Sequence, residues 1–293
     1  MSWYKKYLSV YNRPVDSIPP QTISLIRNNL KRFRSDSPVA SVVVIAHNEE
    51  KTLLSCLWSL SENICHVPVE IIGVNNNSTD RTAEIFEMLG VECFWESMQS
   101  CGYARQCGLN NARGKYYISI DSDIMYPPNY IQTLINRLSK SPVVAVSSRY
   151  SYIPSSTGQR IGFTLYELAR DINIRLQSYN RPELSVRGGV FSYHAELGRK
   201  IGYRVDLKLG EDGSMAIGLK QYGKIKLIYE RKARAVTFAR ASNTGKYLIL
   251  NFKKYFLLSL KSPARYFIKK KVYKDHEANL INGIKTSVNE QKF

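Results

Sequence analysis

"YYISIDSD", residues 116–123, is an apolar run that ends in two carboxylates one residue apart. A run of this length and composition reads as a buried strand. Like charges so close together repel, so Asp121 and Asp123 at its mouth call for a cationic partner. Two other apolar runs end the same way. "SPVASVVVIAH" (37–47) leads into His47-Asn48-Glu49, and "VEIIGVNN" (69–76) leads into Asn75-Asn76-Asn77. Polar clusters beyond the ends of several strands mark the edge at which open α/β sheets bind ligands.

The intervening segments complete an alternating pattern. "NEEKTLLSCLWSL" (48–60) places leucines at helical spacing with Glu49 and Glu50 in the first turn. "STDRTAEIFEML" (78–89) predicts a helix capped by Ser78 or Thr79, and "GYARQCGLNNARG" (102–114) predicts one closed by Gly114. "VECFWE" (91–96) and "VVAVSS" (143–148) read as further strands, with a helix over "PPNYIQTLINRL" (127–138) between the last two. Strands and helices alternating at this rhythm predict a mainly parallel sheet with right-handed crossovers.

The chain has 293 residues, 44% hydrophobic and 23% charged, enough for one large α/β domain. Its net charge of +18 is concentrated at the ends. The first 37 residues carry seven Lys/Arg against two Asp/Glu, and the last 52 carry eleven against three. Three segments follow: a basic N-terminal extension (1–37), a central domain (38–241) and a basic C-terminal extension (242–293). Within the last, "KYLILNFKKYFLLSLKSPARYFIKKKVYK" (246–274) interleaves aromatics and leucines with lysines, the pattern of an amphipathic helix drawn to anionic lipid. Packing of its apolar face on the domain is the competing reading. "SWYKKYLSVYNRPV" at the N-terminus has the same character and is expected to join the same surface. No apolar signal region follows Met1, and no stretch reaches the roughly 18 apolar residues of a membrane span. Five cysteines without metal-ligand spacing read as reduced thiols. The expectation is a cytoplasmic protein, peripheral on the inner membrane face if its ends bind lipid.

"SVVVIAHNEEKTL", "VNNNSTDRTAEI", "GYARQCGLNNARGKYYISIDSD" and "RGGVFSYHAELGRKIGYRVDLKLGEDGSMAIGLKQYGKI", in that order, resemble family 2 glycosyltransferases. These are inverting nucleotide-sugar enzymes of the GT-A fold. The resemblance implies a Rossmann-like mixed, mainly parallel sheet flanked by helices, with basic helical extensions at both ends. It implies that Ala46, His47 and Glu49 meet the nucleotide base and ribose, and that Asn75 and Asn76 stand where the family usually keeps an aspartate. That departure leaves the base open, UDP- or GDP-sugars being the leading donors. Asp80 matches a residue that supports the turn and helix start. Arg105 matches an arginine turned toward the donor pocket, a solvated surface arginine being the alternative. Asp121 and Asp123 match the Asp-x-Asp that holds Mn²⁺ or Mg²⁺, Asp121 also reaching toward the donor. Asp212 matches the base that takes the acceptor's proton, with Glu211 beside it. Gly188 and Gly189 match the acceptor-side loop, and Thr237 and Arg240 fall near the diphosphate. The Gln-x-x-Arg-Trp sequence of processive members is absent, which implies transfer of one sugar to a glycan or lipid-linked acceptor.

Three rivals remain at this point. A nucleotidyltransferase would leave the Gly-Glu-Asp at 210–212 unexplained. A nucleic-acid binder fits the charge but lacks a recognition motif, and nucleic acid is not an expected partner. A catalytically weakened member of the same family rests on Asn75-Asn76.

Overall fold

A strand buried on both faces needs apolar side chains on both, and Ala40–Ala46 supplies them. Val42, Val44 and Ala46 enter one hydrophobic core, while Val43 and Ile45 enter a second. The computed structural model describes residues 3–154, 156–239 and 279–281. In chain order its regular elements begin with α1 (Pro20–Leu30), β1 (Ala40–Ala46), α2 (Leu53–Ser61), β2 (Val69–Asn75), α3 (Thr82–Leu89) and β3 (Glu92–Trp95). They continue with α4 (Cys101–Asn111), β4 (Tyr116–Asp121), β5 (Ile124–Met125), α5 (Tyr130–Leu138), β6 (Val143–Ser147) and β7 (Arg149–Ile153). The last are α6 (Thr157–Asn180), β8 (Phe191–His194), α7 (Ala195–Ile201), α8 (Glu211–Leu219), β9 (Lys224–Leu227) and β10 (Arg234–Phe238).

Seven strands form the central sheet in the order β3-β2-β1-β4-β8-β6-β9. All neighbours are parallel except β8, which runs antiparallel to both β4 and β6. This is the mixed, mainly parallel sheet expected, with two strands, β8 and β9, that the sequence pattern did not reveal. Helices α1, α2, α3 and α5 cover one face through the first core; α4 and α8 cover the other through Ala104, Leu109, Met215 and Leu219. A smaller sheet, β5-β10-β7, stands beside the first.

Register places the site. Ala46 lies opposite Asn75 and Ile45 opposite Asp121, so His47, Asn76 and Ser122 leave the sheet at one edge. The turns there are pinned by side chains. Asn48, at φ 53°, accepts from the backbone N–H of Thr79 at 2.8 Å. Asp80 accepts from the N–H groups of Glu50 (3.0 Å) and Thr82 (2.9 Å), bracing the turn before α3, whose cap position is Arg81 rather than Ser78 or Thr79. Helix α4 likewise departs from expectation. It stops at Asn111, and Gly114 instead allows two backbones to approach closely, since a Cβ there would lie 2.6 Å from the backbone carbon of Ala40. Helix α2 starts at Leu53, one turn after Glu49, whose carbonyl accepts from the Leu53 N–H.

The basic N-terminal segment packs onto the domain through its apolar residues. Tyr7, Val10, Ile26, Leu30 and Phe33 are buried in the first core, and Tyr7 donates to Glu62 at 2.9 Å. Lys5 and Lys6 stay exposed, Lys6 paired with Glu62. The amphipathic segment 246–274 lies outside the described residues. Among those described, no helix is long and apolar enough to cross a membrane.

Candidate active site

The carboxyl ends of β1, β2 and β4 open onto a cleft of about 500 Å³. Ala46, His47, Glu49, Asn76, Asp121, Asp123, Gly188 and Gly189 all line it. Asn75, Arg105, Glu211 and Asp212 stand behind that lining, and Arg240 lies outside the described residues.

His47 is held at both nitrogens. Nδ1 lies 2.7 Å from the Asn76 carbonyl, which can only accept, so the proton sits on Nδ1 and Nε2 accepts from the Gln99 amide at 2.7 Å. The ring is thereby fixed at the cleft wall as a planar group able to stack on a base. Asn76 spends its own amide on the carbonyls of Met98 (2.7 Å) and Glu96 (3.2 Å), tying down the segment after β3. Asn75 accepts from the Ser78 N–H at 3.1 Å; its buried Nδ2 has no hydrogen-bond partner among the described residues.

Behind the cleft, Arg105 is 3% exposed and meets three carboxylates. It donates to Asp121 Oδ1 at 2.8 Å and Glu211 Oε1 at 2.6 Å, and its Nε lies 3.2 Å from Asp212 Oδ1. Ser119 accepts from the same Nε. The reading of Arg105 as a solvated surface residue is therefore wrong: α4 turns it inward, between β4 and the start of α8. Met215 and Leu219, one turn apart and fully buried, fix α8 so that Glu211 and Asp212 occupy its first turn. Burial raises the Asp212 carboxyl from its ordinary 3.8 to about 7; Arg105 opposes the rise, and Glu211 and Asp121 add to it. Gly188 and Gly189 make this cluster possible. A Cβ at 188 would lie 1.9 Å from the Arg105 guanidinium and 2.5 Å from Asp212 Oδ2, and one at 189 would lie 2.5 Å from Asp121 Oδ2. Only glycine lets the turn lie against the charges, and Gly188 stands between Asp212 and the cleft.

Asp121 and Asp123 flank Ser122 at the cleft floor, and Thr237 on β10 donates to the Asp123 carbonyl at 2.9 Å. Beneath them Cys56 is buried; burial raises its thiol pKa well above the usual range, and Asp123, Asp121 and Glu49 raise it further. Among the described residues no three His, Cys, Asp or Glu side chains form a closed metal site. Two carboxylates on one open cleft nonetheless fit a hard divalent cation, because Mg²⁺ takes one or two carboxylates and fills its shell with substrate phosphates and water.

Tyr150 and Tyr152 of β7, Arg187 and Phe238 also line the cleft, and sequence reasoning missed all four. The alternation in "RYSYI" (149–153) is the available signal for the tyrosines. It is masked because the apolar run before it reads as a strand ending at Ser148.

Comparison with known proteins bears on the family and the fold of the chain. The family model described as "Glycosyl transferase family 2" matches residues 41–196. Glycosyltransferase GlyA of Streptococcus pneumoniae serotype 4 is 29% identical over 187 residues, covering 59% of this chain and 27% of GlyA. Dolichol-phosphate mannosyltransferase of Pyrococcus furiosus is 26% identical over 117 residues, covering 38% of this chain and 33% of that protein. The match thus spans about a third or less of either relative's own length. Among solved structures, Staphylococcus aureus TarS 1–349 in complex with UDP superposes with a TM-score of 0.52 at 17% identity, covering 76% of this chain and 65% of that one. Glucosyl-3-phosphoglycerate synthase of Mycobacterium tuberculosis, in complex with Mn²⁺, UDP-glucose and phosphoglyceric acid, superposes at 0.50 and 20% identity, covering 81% and 85%. At these identities the likeness is one of fold.

Proposed function

The chain belongs to glycosyl transferase family 2, and from that premise we propose that it transfers one sugar from a nucleotide-diphosphate sugar to a glycan or lipid-linked acceptor, with inversion at the anomeric carbon. The observation that carries this reading is the bridge formed by Arg105, which joins Asp121 at the cleft floor to Glu211 and Asp212 at the head of α8. One cation thereby links the carboxylate nearest a donor's diphosphate to the carboxylate that would take the acceptor's proton.

In this scheme His47 stacks on the base while Ala46 and Glu49 face the ribose. Asp121 and Asp123 would hold Mn²⁺ or Mg²⁺, which when bound neutralises the charge developing on the leaving diphosphate. Asp212, with its pKa raised toward neutrality, accepts the hydroxyl proton as the new glycosidic bond forms. To reach Asp212 the acceptor must displace Gly188. The opening of that turn then belongs to acceptor binding. Thr237 and Arg240 are assigned to the diphosphate side. The transferase domain is residues 38–241, working in the cytoplasm or at the inner face of a membrane.

Calorimetric titration with UDP, GDP, CDP and dTDP, each with Mn²⁺ and then EDTA, tests the donor half. Tight binding of one diphosphate that EDTA abolishes is the expected result. Asp123→Ala is expected to remove the metal dependence; unchanged affinity in Mn²⁺ would refute the metal assignment. If no nucleotide binds, the second reading takes over, a weakened family member or basic binding protein on the same fold. On its side stands one observation: both Asn75 and Asn76 already serve the protein's own backbone.

A further inference from the structure

Helix α6 is inside out. On a helix of 3.6 residues per turn, Ile161, Leu165, Leu168, Ile172, Leu176 and Tyr179 fall within a sector of about 80°, and they are 48–91% exposed. Its two carboxylates point the other way. Asp171 accepts from Arg149 and from Arg234, each at 2.5 Å. Glu167 accepts from the Tyr152 N–H at 2.6 Å and the Ser151 hydroxyl at 2.8 Å. Arg170 turns inward as well and donates to the Tyr150 carbonyl at 2.6 Å. The outward face is left with an apolar stripe about 27 Å long, at 1.5 Å per residue. Arg160 and Arg175 are its exposed charges, and no carboxylate is exposed on it.

We propose that the outer face of α6 docks on an anionic lipid bilayer, lying in the interface plane with its leucines among the acyl chains. Three observations select this occupant. A narrow apolar stripe with basic flanks and no exposed acid is the pattern of an interfacial helix. The chain carries +18, so a negative surface attracts it while a second copy, or its own basic segment 242–293, is electrostatically repelled. The helix also adjoins the cleft: Tyr152, which lines it, packs against Phe163 and Tyr166 of α6. A docked α6 therefore brings the cleft wall close to the headgroups. The surface rests on α6 alone and does not depend on the transfer reaction.

The test is flotation of the full chain with phosphatidylcholine vesicles, with and without phosphatidylglycerol, at low and high salt. Binding to the anionic vesicles, weakened by salt, is the expected result, with the double variant Leu165→Glu, Leu168→Glu losing about tenfold or more in partitioning. Both positions are exposed, so an unchanged melting midpoint should accompany the loss. In parallel, Leu168→Trp should give a blue-shifted emission increment on vesicle addition that brominated lipid quenches. A double variant that floats like the parent would assign binding to the basic ends and overturn the proposal. So would absence of vesicle binding, whether with a dimer that the double variant dissociates (a second copy on the stripe) or with a monomer (cover from within the chain).

Discussion

Two buried networks of arginine and carboxylate hold this molecule, and they are unbalanced in opposite directions. Around Arg105 one cation faces three carboxylates, Asp121, Glu211 and Asp212. Under α6 three cations, Arg149, Arg170 and Arg234, face two, Glu167 and Asp171. Among the described residues the buried atoms without a hydrogen bond follow suit: Asp212 Oδ1, held only by its ion pair with Arg105, in the first network, and Arg149 Nε, Arg170 Nη1 and Arg234 Nε in the second. The difference is chemical. A surplus carboxylate can relieve its burial by taking a proton, whereas a guanidinium remains charged at any working pH. The first network can therefore take up and release a proton, while the second can only fasten a helix.

The sharpest way to break this contrast is Asp212→Asn. Loss of a general base is expected to lower kcat by about 10²- to 10⁴-fold, with nucleotide affinity from calorimetry nearly unchanged. Equal loss of both would show that Asp212 shapes the donor pocket instead. Arg105→Met comes next and acts on folding. Removing the cation leaves the buried Glu211 and Asp212 facing each other and the cleft-lining Asp121 without a counter-charge, at a cost on the order of 3 kcal/mol in urea unfolding. Asp171→Asn should cost about 3 kcal/mol by the same reasoning, yet leave kcat intact wherever the protein is folded. A large fall in kcat there would erase the distinction between the two networks.

Proton linkage sharpens it further. Burial raises the folded pKa of Asp212 from 3.8 to about 7, so between those values the folded state keeps a proton that the unfolded chain has released. This group's contribution to stability must then fall as pH rises from about 4 to about 7. Melting curves in EDTA should show Asp212→Asn gaining on the parent across that window and holding a constant difference above it. A difference independent of pH would mean that Arg105 alone keeps the carboxylate ionised.

Much of the fold was legible because strands buried on both faces are written in short apolar runs such as Val42–Ile45. Strand β8 was not: it is four residues long and pairs antiparallel between β4 and β6, a placement that no local pattern encodes. The carboxylates of the site were legible as charges at strand ends. The fate of Arg105 was not, since a lone arginine in a helix is ordinarily solvated and its partner Glu211 lies 106 residues away. Family resemblance marks the two glycines for the approach of a sugar. What they approach in the structure is Arg105, Asp121 and Asp212, a relation visible only once α4, β4 and α8 have met.

The smallest effect concerns Asn75, where the family usually has an acid. Its Oδ1 has a donor in the Ser78 N–H, and its buried Nδ2 has no partner among the described residues. Asn75→Asp, when the new group is protonated, replaces the unpartnered amide donor with a single O–H and keeps the acceptor for the Ser78 N–H, so the exchange is nearly neutral. Stability at pH 4.5 should stay within about 1 kcal/mol of the parent. At pH 8 the variant should fall behind, because burial raises the new group's folded pKa and its ionised form is what the unfolded chain favours. Paired urea midpoints at the two pH values measure this. If the variant keeps pace at pH 8, the pocket supplies more donors than Ser78 alone, and the asparagine is there to set which base binds.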